Sequence, residues 1–405
     1  MVNVAVMGYG TVGSGVVEVI GINGDKIDKR VGDHINIKYV LDLRDFPGDP
    51  IQDKVVHDFE TILKDEELQI VVEVMGGIEP AYTFVKKLLE SGKSVVTSNK
   101  ALVAKHGAEL LGIAKSKSIN FLFEASVGGG IPIIRPLNSS LTADEIEEIT
   151  GILNGTTNYM MTKMFYEGAD YHTVLKEAQA NGYAEADPTA DVEGHDACRK
   201  IAILSSLVSG QQVDFEDIYT EGITAITTED MKYAREMGMT IKLLAMAKRD
   251  GGELQALVAP FLLGADHPLY SVNDVFNAIF VRGNVLGDAM FYGSGAGKLP
   301  TASAVVADIV EAAKNLNRNV MPMWSSEKLS LQDRAVSSRK FFVRIKGDDK
   351  SGKAQVEERF GPVQIVKAAG LDEEFGFITE VMTEGEYEEK AAACDAILHM
   401  VRIEA

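Results

Sequence analysis

The segment that decides the fold runs from Val2 to Gly13 and reads Val-Asn-Val-Ala-Val-Met-Gly-Tyr-Gly-Thr-Val-Gly. Its first half is mostly β-branched or apolar, which is typical of a buried parallel strand. Its second half follows the pattern G-x-G-x-x-G and opens a stretch with helical spacing. Gly8 permits a tight turn, Gly10 lets backbone N–H groups approach a pyrophosphate, and Gly13 lets helix and strand pack closely. The segment therefore predicts a dinucleotide-binding turn, because the helix N-terminus offers unpaired N–H groups and a partial positive charge.

The end of the second strand should carry the residue that reads the ribose. This strand ends in Asp42-Leu43-Arg44. Asp42 would accept a hydrogen bond from a 2′-hydroxyl and favour NAD, whereas Arg44 would pair with a 2′-phosphate and favour NADP. Since both residues are present, the sequence predicts NADP or NAD as cofactor without choosing between them.

Strands and helices alternate through the first 130 residues. The predicted strands cover 2–7, 36–42, 70–75, 94–97 and 120–123, and the predicted helices cover 11–20, 79–91 and 102–117. This alternation favours an α/β fold with a Rossmann-like doubly wound sheet over residues 1–130. An apolar helix at about 300–318 is expected to pack back on this domain and complete it.

The remainder of the chain divides into three parts by pattern. Residues 131–299 mix helices and strands and predict a central α+β domain, and residues 319–338 look like a linker. Residues 339–405 predict the order βαββαβ of a ferredoxin-like unit. In this unit, strands are expected at 340–345, 363–368, 377–382 and 400–404, and helices at 351–360 and 384–398. In the central part, helices are expected at 156–166, 173–181, 196–209 and 229–238, and strands at 240–248, 254–260 and 277–282.

The composition narrows the classes of partner. The chain has 405 residues and a formal net charge of −20. Such a charge repels phosphate backbones, so we expect neither nucleic acid nor a membrane as partner. Cys198 and Cys394 are too few for a disulfide framework and too far apart for a thiolate metal site. No apolar run is long enough to span a membrane, and the N-terminus reads as a strand, so we expect a cytoplasmic location.

Residues 183–200 are the most unusual stretch of the chain. Asp196 and Lys200 lie four apart on a predicted helix, which is also the spacing of an ordinary surface ion pair. Hydride transfer to a carbonyl needs a proton donor at the oxygen, and a protonated lysine can serve. Lys100 is a second candidate, because it follows a strand whose end should ring the ligand crevice. The carboxylates nearby would suit a substrate ammonium group; they belong to Glu185, Asp187, Asp191, Glu193 and Asp196.

Other interpretations of the same residues stay open at this point. Cys198 could be a thiol nucleophile in a different amino-acid semialdehyde dehydrogenase, although its place in an amphipathic helix favours a core residue. A non-catalytic sensor of nucleotide and amino acid would use the first and last domains alone. A structural assembly protein would leave the acidic segment before Lys200 unexplained.

Six segments form one recognisable set: Gly8–Gly13, Val96–Leu102, Phe123–Pro132, Gly151–Tyr159, Tyr183–Lys200 and Gly293–Ala302. The most specific are Gly-Ile-Leu-Asn-Gly-Thr-Thr-Asn, from Gly151, and the Glu-Ala-Asp-Pro segment from Glu185. On these segments the chain resembles homoserine dehydrogenases over essentially its whole length. The resemblance implies reversible NAD(P)-dependent reduction of L-aspartate 4-semialdehyde to L-homoserine, in threonine, methionine and isoleucine biosynthesis.

The resemblance also implies roles for individual residues. Lys200 is expected to give and take the proton at the substrate C4 oxygen, and Lys100 to touch both cofactor and substrate. Glu185 is expected to hold the substrate ammonium, with Asp191 and Asp196 as further substrate-binding and orienting acids. We expect the two lysines to lower each other's pKa if they lie close together. With the glycine turn and Arg44, the predicted cofactor-binding residues are Gly8, Gly10, Thr11, Val12, Gly13, Arg44, Thr97, Lys100 and Gly295.

Three further expectations follow from the resemblance. Glu124, Val127, Gly129 and Ile131 match a monovalent-cation site, usually sodium, for which a carboxylate and loop carbonyls are suitable ligands; a structural hinge without an ion is the alternative. The central domain is expected to form a homodimer or tetramer. The last unit resembles an ACT regulatory domain, where threonine commonly acts as effector. The loop at 347–352 departs from that pattern, because it lacks the proline often found there.

Overall fold

The N-terminal part of the chain is a parallel sheet between helices. The computed structural model describes residues 1–404. The sheet has six strands in the order β3-β2-β1-β4-β5-β6, with parallel pairs throughout. The predicted doubly wound sheet is therefore confirmed, and the glycine turn lies where the strand order reverses. The elements are β1 (Val2–Met7), α1 (Thr11–Val31), β2 (Ile35–Leu41), β3 (Val55–Val56), α2 (Phe59–Lys64), β4 (Leu68–Glu73), α3 (Ala81–Glu90), β5 (Ser94–Thr97), α4 (Lys100–Ser116) and β6 (Phe121–Leu122).

Helix α1 is longer than the sequence predicts. The prediction stopped at residue 20, before Gly21 and Gly24, but the helix runs on to Val31. Both glycines lie where an added Cβ would meet nothing within 4 Å, while Ile27 continues the buried face. The helix ends at Gly32, whose φ of +82° is the left-handed conformation that glycine adopts easily.

The central part of the chain is a mixed sheet with helices packed on one face. Its strands follow the order β13-β12-β7-β10-β11, and helices α5 and α8 contact β10. The sequence did not predict β7 or β13. Strand β7 contains Glu148, whose charge is compensated within the sheet by Lys248 at 3.3 Å and Arg282 at 3.5 Å. The elements are β7 (Ile146–Ile152), α5 (Gly155–Glu167), α6 (Tyr171–Ala180), α7 (Thr189–Val192), α8 (His195–Ser209), β8 (Gln211–Gln212), β9 (Tyr219–Thr220), α9 (Thr228–Glu236), β10 (Thr240–Asp250), β11 (Glu253–Leu263), β12 (Phe276–Gly283), β13 (Gly287–Ser294) and α10 (Lys298–Lys314).

Helix α10 returns to the N-terminal sheet, as expected from its apolar sequence, and packs along α1. A Cβ at Gly15 of α1 would lie 2.9 Å from the Lys298 carbonyl oxygen and 3.0 Å from the Ala302 Cβ. Glycine at this position therefore permits the close approach of the two helices.

The C-terminal unit has the predicted βαββαβ order with one two-residue strand added at Met382–Thr383, and its main sheet is antiparallel in the order β19-β15-β17-β16. The predicted helix over 384–398 is too long: it ends at Ala392, and Ile397 is already paired with Ile345. Hydrogen bonding of the residues from Ile397 onward to β15 is favoured there over continuation of the helix. The elements are β14 (Ser325–Lys328), β15 (Ser338–Lys346), α11 (Asp349–Phe360), β16 (Val363–Val366), β17 (Glu374–Thr379), β18 (Met382–Thr383), α12 (Glu384–Ala392) and β19 (Ile397–Glu404).

The C-terminal unit is joined to the central sheet by strand pairing. Strand β19 runs parallel to β11, with Arg402 opposite Phe261, so one sheet of 11 strands runs through both parts. The segment predicted as a linker is anchored rather than free. Trp324 is 1 % exposed and covers Gly107 of α4, and β14 pairs with β8.

Among the helices of residues 1–404, none combines the length and the apolarity that a membrane crossing requires.

Candidate active site

The glycine turn after β1 is shaped by close backbone packing. Gly8 has φ +96°, and a Cβ there would lie 3.0 Å from the Val74 carbonyl oxygen. A Cβ at Gly13 would lie 1.9 Å from the Gly8 carbonyl oxygen, whereas one at Gly10 would meet nothing within 4 Å. Two of the glycines therefore let the turn form, and the third leaves the approach to the backbone open.

The N-terminus of α1 offers its backbone N–H groups to this open side. Gly10 is the N-cap and supplies no side-chain acceptor, Thr11 is exposed and Val12 is half-buried. Free N–H groups at the start of a long helix fit a pyrophosphate. A cleft of about 530 Å³ adjoins the turn, and its lining includes Gly8, Gly10, Asp42, Arg44, His57 and Met75.

Asp42 and Arg44 are paired with each other at the end of β2. Arg44 Nε donates to Asp42 Oδ1 at 3.0 Å and Nη2 donates to Oδ2 at 3.0 Å, while the Tyr9 N–H donates to Oδ2 at 2.8 Å. The Arg44 hydrogen bonds hold the pKa of the Asp42 carboxyl well below its usual range. Asp42 and Arg44, the two candidates for contacting the ribose, therefore neutralise each other's charge. Arg44 remains largely exposed toward the cleft.

Thr97 lies at the end of β5, where its hydroxyl forms hydrogen bonds with other buried groups of the protein. Its Oγ1 donates to Glu73 Oε2 at 2.7 Å and accepts from the Asn99 N–H at 2.9 Å. Asn99 in turn caps α4 by accepting from the Leu102 N–H at 3.1 Å. The buried Thr97 side chain thus helps to fix the start of α4, and Lys100 is the first residue of that helix.

Lys200, Asp196 and Lys100 come together where α4 meets α8. Lys200 Nζ lies 2.8 Å from Asp196 Oδ2, and Lys100 Nζ lies 2.6 Å from Asp196 Oδ1. The Lys200 side chain is 11 % exposed, that of Asp196 is 6 % exposed, and that of Lys100 is 40 % exposed. The i,i+4 spacing therefore marks a buried ion pair rather than a surface one. One lysine is enclosed and the other reaches solvent.

Burial and charge act together on these groups. Burial raises the pKa of Asp196, but the charges of Lys200 and Lys100 outweigh it and hold that pKa well below its usual value. Burial lowers the pKa of Lys200, and the charge of Lys100 adds to this effect while Asp196 opposes it. The charge of Lys100 therefore acts on Lys200 in the expected direction. A lysine with a lowered pKa can exchange a proton near neutral pH more readily than an exposed lysine.

Asn154 is a functional candidate that the sequence reasoning did not single out. Its Nδ2 donates to Asp196 Oδ2 at 2.9 Å and to Asp191 Oδ1 at 2.7 Å. Its Oδ1 caps α5 by accepting from the Thr157 N–H at 2.8 Å, which fixes the side chain. The neighbouring Leu153 carbonyl accepts from Lys200 Nζ at 2.7 Å. An asparagine directly before a helical stretch in the Gly-Ile-Leu-Asn-Gly motif was the signal that could have identified it.

Within the acidic segment, Asp191 is linked to this ion pair through Asn154, whereas Glu185 is not. Glu185 is exposed, and within residues 1–404 its carboxylate forms no hydrogen bond or ion pair. His195 is exposed as well. Asp191 is half-buried, and burial raises the pKa of its carboxyl. Cys198 is a buried core residue, and burial raises the pKa of its thiol, which disfavours a role as nucleophile.

The predicted cation loop is held tightly, but its carboxylate is already occupied. Glu124 Oε1 accepts from the N–H groups of Ile133 and Ile134 at 2.6 and 2.8 Å, and Oε2 accepts from the Arg135 N–H at 2.8 Å. The expectation that this carboxylate ligates an ion is not supported by that geometry. No group of three or more acidic, histidine or cysteine side chains suited to a metal occurs in the described chain.

Backbone groups of the same loop are arranged differently. Val127, Gly129 and Ile131 are buried, and their carbonyl oxygens accept no hydrogen bond from residues 1–404. A Cβ at Gly129, where φ is +59°, would lie 2.1 Å from the Gly295 carbonyl oxygen. Gly295 therefore packs on this loop, and the backbone oxygens rather than a side chain are free to bind a cation.

Known proteins match this chain over most of its length. The family model described as the NAD binding domain of homoserine dehydrogenase matches residues 8–124, and the one described as homoserine dehydrogenase matches residues 132–310. The homoserine dehydrogenase of Bacillus subtilis is 45 % identical over 326 residues, which is 79 % of this chain and 74 % of that protein. That of Corynebacterium glutamicum is 46 % identical over 321 residues, 78 % of this chain and 72 % of that protein.

Solved structures agree with the sequence matches. A homoserine dehydrogenase from Thiobacillus denitrificans superposes with a TM-score of 0.91 at 35 % identity, covering 100 % of this chain and 98 % of that one. A hyperthermophilic archaeal homoserine dehydrogenase in complex with NADPH superposes with a TM-score of 0.67 at 29 % identity, covering 78 % of this chain and 99 % of that one. The glycine turn, the two matching family models and these relatives lead to one conclusion. The chain belongs to the homoserine dehydrogenase family of NAD(P)-dependent oxidoreductases.

Proposed function

We propose that this protein catalyses the reversible reduction of L-aspartate 4-semialdehyde to L-homoserine. The observation that carries the proposal is the buried Asp196, which holds Lys200 and Lys100 at 2.8 and 2.6 Å close to the end of β5. An enclosed lysine with a lowered pKa suits proton transfer to and from a carbonyl oxygen.

The proposed chemistry needs one proton and one hydride. A nicotinamide nucleotide held at the glycine turn would supply the hydride for C4 of the aldehyde, or accept it in the reverse direction. Lys200 gives its proton to the C4 oxygen as the alcohol forms and takes it back when the alcohol is oxidised. Asp196 keeps Lys200 oriented, and Lys100 faces the more open side, where cofactor and substrate would meet.

The acidic segment would hold the substrate ammonium. Asp191 is fixed by Asn154 at 2.7 Å, close to the lysine pair. Glu185 lies on the exposed loop before α7, where its carboxylate can accept hydrogen bonds from an ammonium. Both residues are substrate-binding candidates.

The cofactor would lie on the open side of the glycine turn. Gly10, Thr11 and Val12 would meet the pyrophosphate, and Arg44 lies beside the cleft where a 2′-phosphate would be placed. The archaeal relative that binds NADPH supports a nicotinamide nucleotide. With Asp42 and Arg44 neutralising each other, we propose that the chain accepts NADP or NAD.

The cation loop fits sodium through backbone oxygens. The carbonyls of Val127, Gly129 and Ile131 would be the ligands, and the Glu124 carboxylate would shape the loop instead of binding the ion. A bound monovalent cation would stiffen the contact between this loop and Gly295.

The oligomer and the regulatory unit complete the proposal. Exposed apolar side chains at the β13 edge, among them Met290 and Tyr292, support a homodimer or tetramer. The strand order of the unit over 339–405 supports an ACT-like domain with threonine as effector. The other proposed parts are a nucleotide-binding domain over 1–130, a central domain over 131–299 and a connection over 319–338. A cytoplasmic location stays a prediction from the sequence.

A direct assay tests the proposed function. Purified protein should reduce NADP or NAD when L-homoserine is added, and the rate should be compared with and without threonine and sodium. A chain that binds cofactor but shows no homoserine-dependent reduction with either nucleotide would contradict the proposal. L-Serine in place of L-homoserine is the matched control for the substrate.

A further inference from the structure

Trp324, the single tryptophan of the chain, is packed against the helix that begins with Lys100. The tryptophan is buried, and a Cβ added at Gly107 of α4 would lie 2.3 Å from its Cζ2 atom. The indole therefore rests directly on the helix backbone, which only glycine permits at this position. Gly107 follows Lys100 by two turns of α4. Trp324 thus holds the half of the helix that carries the lysine.

Gln212 connects Trp324 to α4 a second time. Its Oε1 accepts from Trp324 Nε1 at 2.9 Å, and its Nε2 donates to the Ala104 carbonyl oxygen at 3.1 Å. The other contacts of Nε2, with the Val213 carbonyl oxygen at 3.4 Å and Asp214 Oδ1 at 3.3 Å, are longer. Ala104 belongs to the second turn of α4. Because one side-chain amide makes both of the shorter hydrogen bonds, it fixes the indole and the helix relative to each other.

The same segment is bound to the end of α8, the helix that carries Lys200. Gly210 directly follows α8, and its carbonyl accepts from the Ser325 N–H at 2.9 Å. The Gln212 carbonyl accepts from the Leu329 N–H at 2.8 Å, where β14 pairs with β8. We call Trp324, Gln212 and the paired strands β8 and β14 the helix clamp. It holds both of the helices that contribute a lysine to the candidate active site.

The distance between α4 and α8 sets how strongly Lys100 acts on Lys200. Lys100 Nζ reaches Asp196 Oδ1 across the contact of the two helices at 2.6 Å, whereas Lys200 and Asp196 share one helix. Lys200 is faced by Asp196 from α8, by Lys100 from α4 and by Asp191 from α7. Besides burial, the charge of Lys100 lowers the pKa of Lys200, while the two acids raise it. If α4 moved away, the charge that lowers this pKa would be lost and the two acids would remain.

We propose that Trp324 and Gln212 are positioning residues for the dehydrogenase reaction, because they hold α4 against α8 and thereby keep Lys100 beside Asp196 and Lys200. Both act through the helices, since neither lines the cleft beside the glycine turn. The proposal rests on the proposed function, because its effect is measured in homoserine oxidation. It also gives the connection over 319–338 a role in the active site, in addition to joining two parts of the chain.

Gln212→Met tests the helix clamp with the indole left in place. The substitution removes both hydrogen bonds of the amide at similar side-chain volume. We expect the rising limb of kcat/KM for homoserine oxidation to shift to higher pH by about half a pH unit or more, because the pKa of Lys200 rises when Lys100 moves away. Asp196→Asn should shift the same limb to lower pH, so the direction of the shift separates loss of the helix clamp from loss of the carboxylate. Gln364→Met, at an exposed position of β16, is the control and should leave the limb in place.

The single tryptophan shows directly whether the segment stays attached. Acrylamide should quench the fluorescence of Trp324 more strongly in Gln212→Met than in the parent protein or in Gln364→Met, while the circular dichroism of the three proteins stays the same. Trp324→Phe is the second variant: it removes the indole N–H and part of the contact with Gly107. It should shift the rising limb in the same direction as Gln212→Met.

Two results would overturn the proposal. One is a rising limb that stays in place or moves to lower pH in either folded variant, and the other is an equal shift in Gln364→Met. In both cases the parent protein still oxidises homoserine, so the proposed function stands. A parent protein that does not oxidise homoserine would instead contradict the proposed function, which makes the two failures distinguishable.

Discussion

Asp196 holds two ammonium groups at once, and the chemistry at the residue scale depends on that arrangement. Lys200 is enclosed, Lys100 is partly exposed, and one carboxylate separates them. The carboxylate keeps Lys200 charged and oriented, while burial and Lys100 make its proton easier to lose. The same residues can therefore serve both directions of a reversible hydride transfer.

Replacing Asp196 should move the pH dependence in a known direction. Asp196→Asn removes the negative charge that raises the pKa of Lys200, so that pKa should fall further below its ordinary value of 10.5. Homoserine oxidation requires the neutral amine, and its rising limb should therefore shift to lower pH, with kcat reduced by the lost orientation. Plots of kcat/KM against pH measure the shift. A limb that stays in place or moves to higher pH would contradict the assigned role.

Asn154 should act as a positioning residue. Asn154→Ala removes the amide between Asp191 and Asp196 and leaves the half-buried Asp191 and the buried Asp196 without their shared donor. We expect kcat to fall about tenfold or more, because small displacements of reacting groups are costly, with little change in cofactor affinity. Asn23→Ala, at an exposed position of α1, is the control. Equal kcat values in the two variants would argue against this role.

At the scale of secondary structure elements, α10 links the nucleotide-binding sheet to the glycine loop that follows β6. Asp308 of α10 accepts from the Glu124 N–H at 2.8 Å and from Arg135 Nη2 at 2.5 Å. Burial, and then the charge of Glu124, raise the pKa of Asp308 to about 7. The position of the loop therefore depends on a buried acid.

Asp308 should make the stability of the protein depend on pH. Its pKa in the folded chain is above the ordinary value of 3.8, so its contribution to stability is fully present below that value and is lost as pH rises toward 7. Asp308→Asn should flatten this decline while keeping an acceptor for the Glu124 N–H. Urea unfolding at a series of pH values measures it. The same slope in variant and parent would contradict the explanation.

The sequence predicted the elements that carry a strong local pattern. The glycine turn, the parallel strands and α8 are confirmed because each has its own apolar period or turn residues. Strands β7 and β13 were missed, since one contains acids that are neutralised only by distant strands and the other is an exposed edge. The local pattern could show Asn154 as a helix cap, but its contacts with Asp191 and Asp196 and the hydrogen bonds from residues 133–135 to the Glu124 carboxylate depend on how the chain folds back.

At the scale of the whole molecule, one sheet connects the catalytic part to the C-terminal unit. Strand β19 pairs with β11 on one side and with β15 on the other. Glu384 and its three arginines lie at this junction, where Arg402 also pairs with Glu221 at 2.6 Å. A change in the C-terminal unit can therefore reach the central sheet through the hydrogen-bonded strands β15, β19 and β11.

Loss of the Glu384 charge should weaken that junction strongly. Glu384→Gln removes the carboxylate that pairs with the buried Arg339 and one of the two that pair with the buried Arg402, and should lower the free energy of unfolding by about 3–5 kcal/mol. Glu389→Gln, on the exposed side of α12, should change it little. Denaturant unfolding of both variants measures the difference. Similar stability in the two would show that the arginine cluster does not hold the units together.

The central claim is that Lys200 exchanges the proton at the substrate oxygen. Single-turnover oxidation of L-homoserine, followed by the absorbance of the reduced cofactor, tests it in Lys200→Met against Lys115→Met, a lysine exposed on α4. The account predicts a rate lowered by about 10²–10⁴ in Lys200→Met, with cofactor binding retained and the control unchanged. A Lys200→Met protein that oxidises homoserine at the parent rate would contradict it.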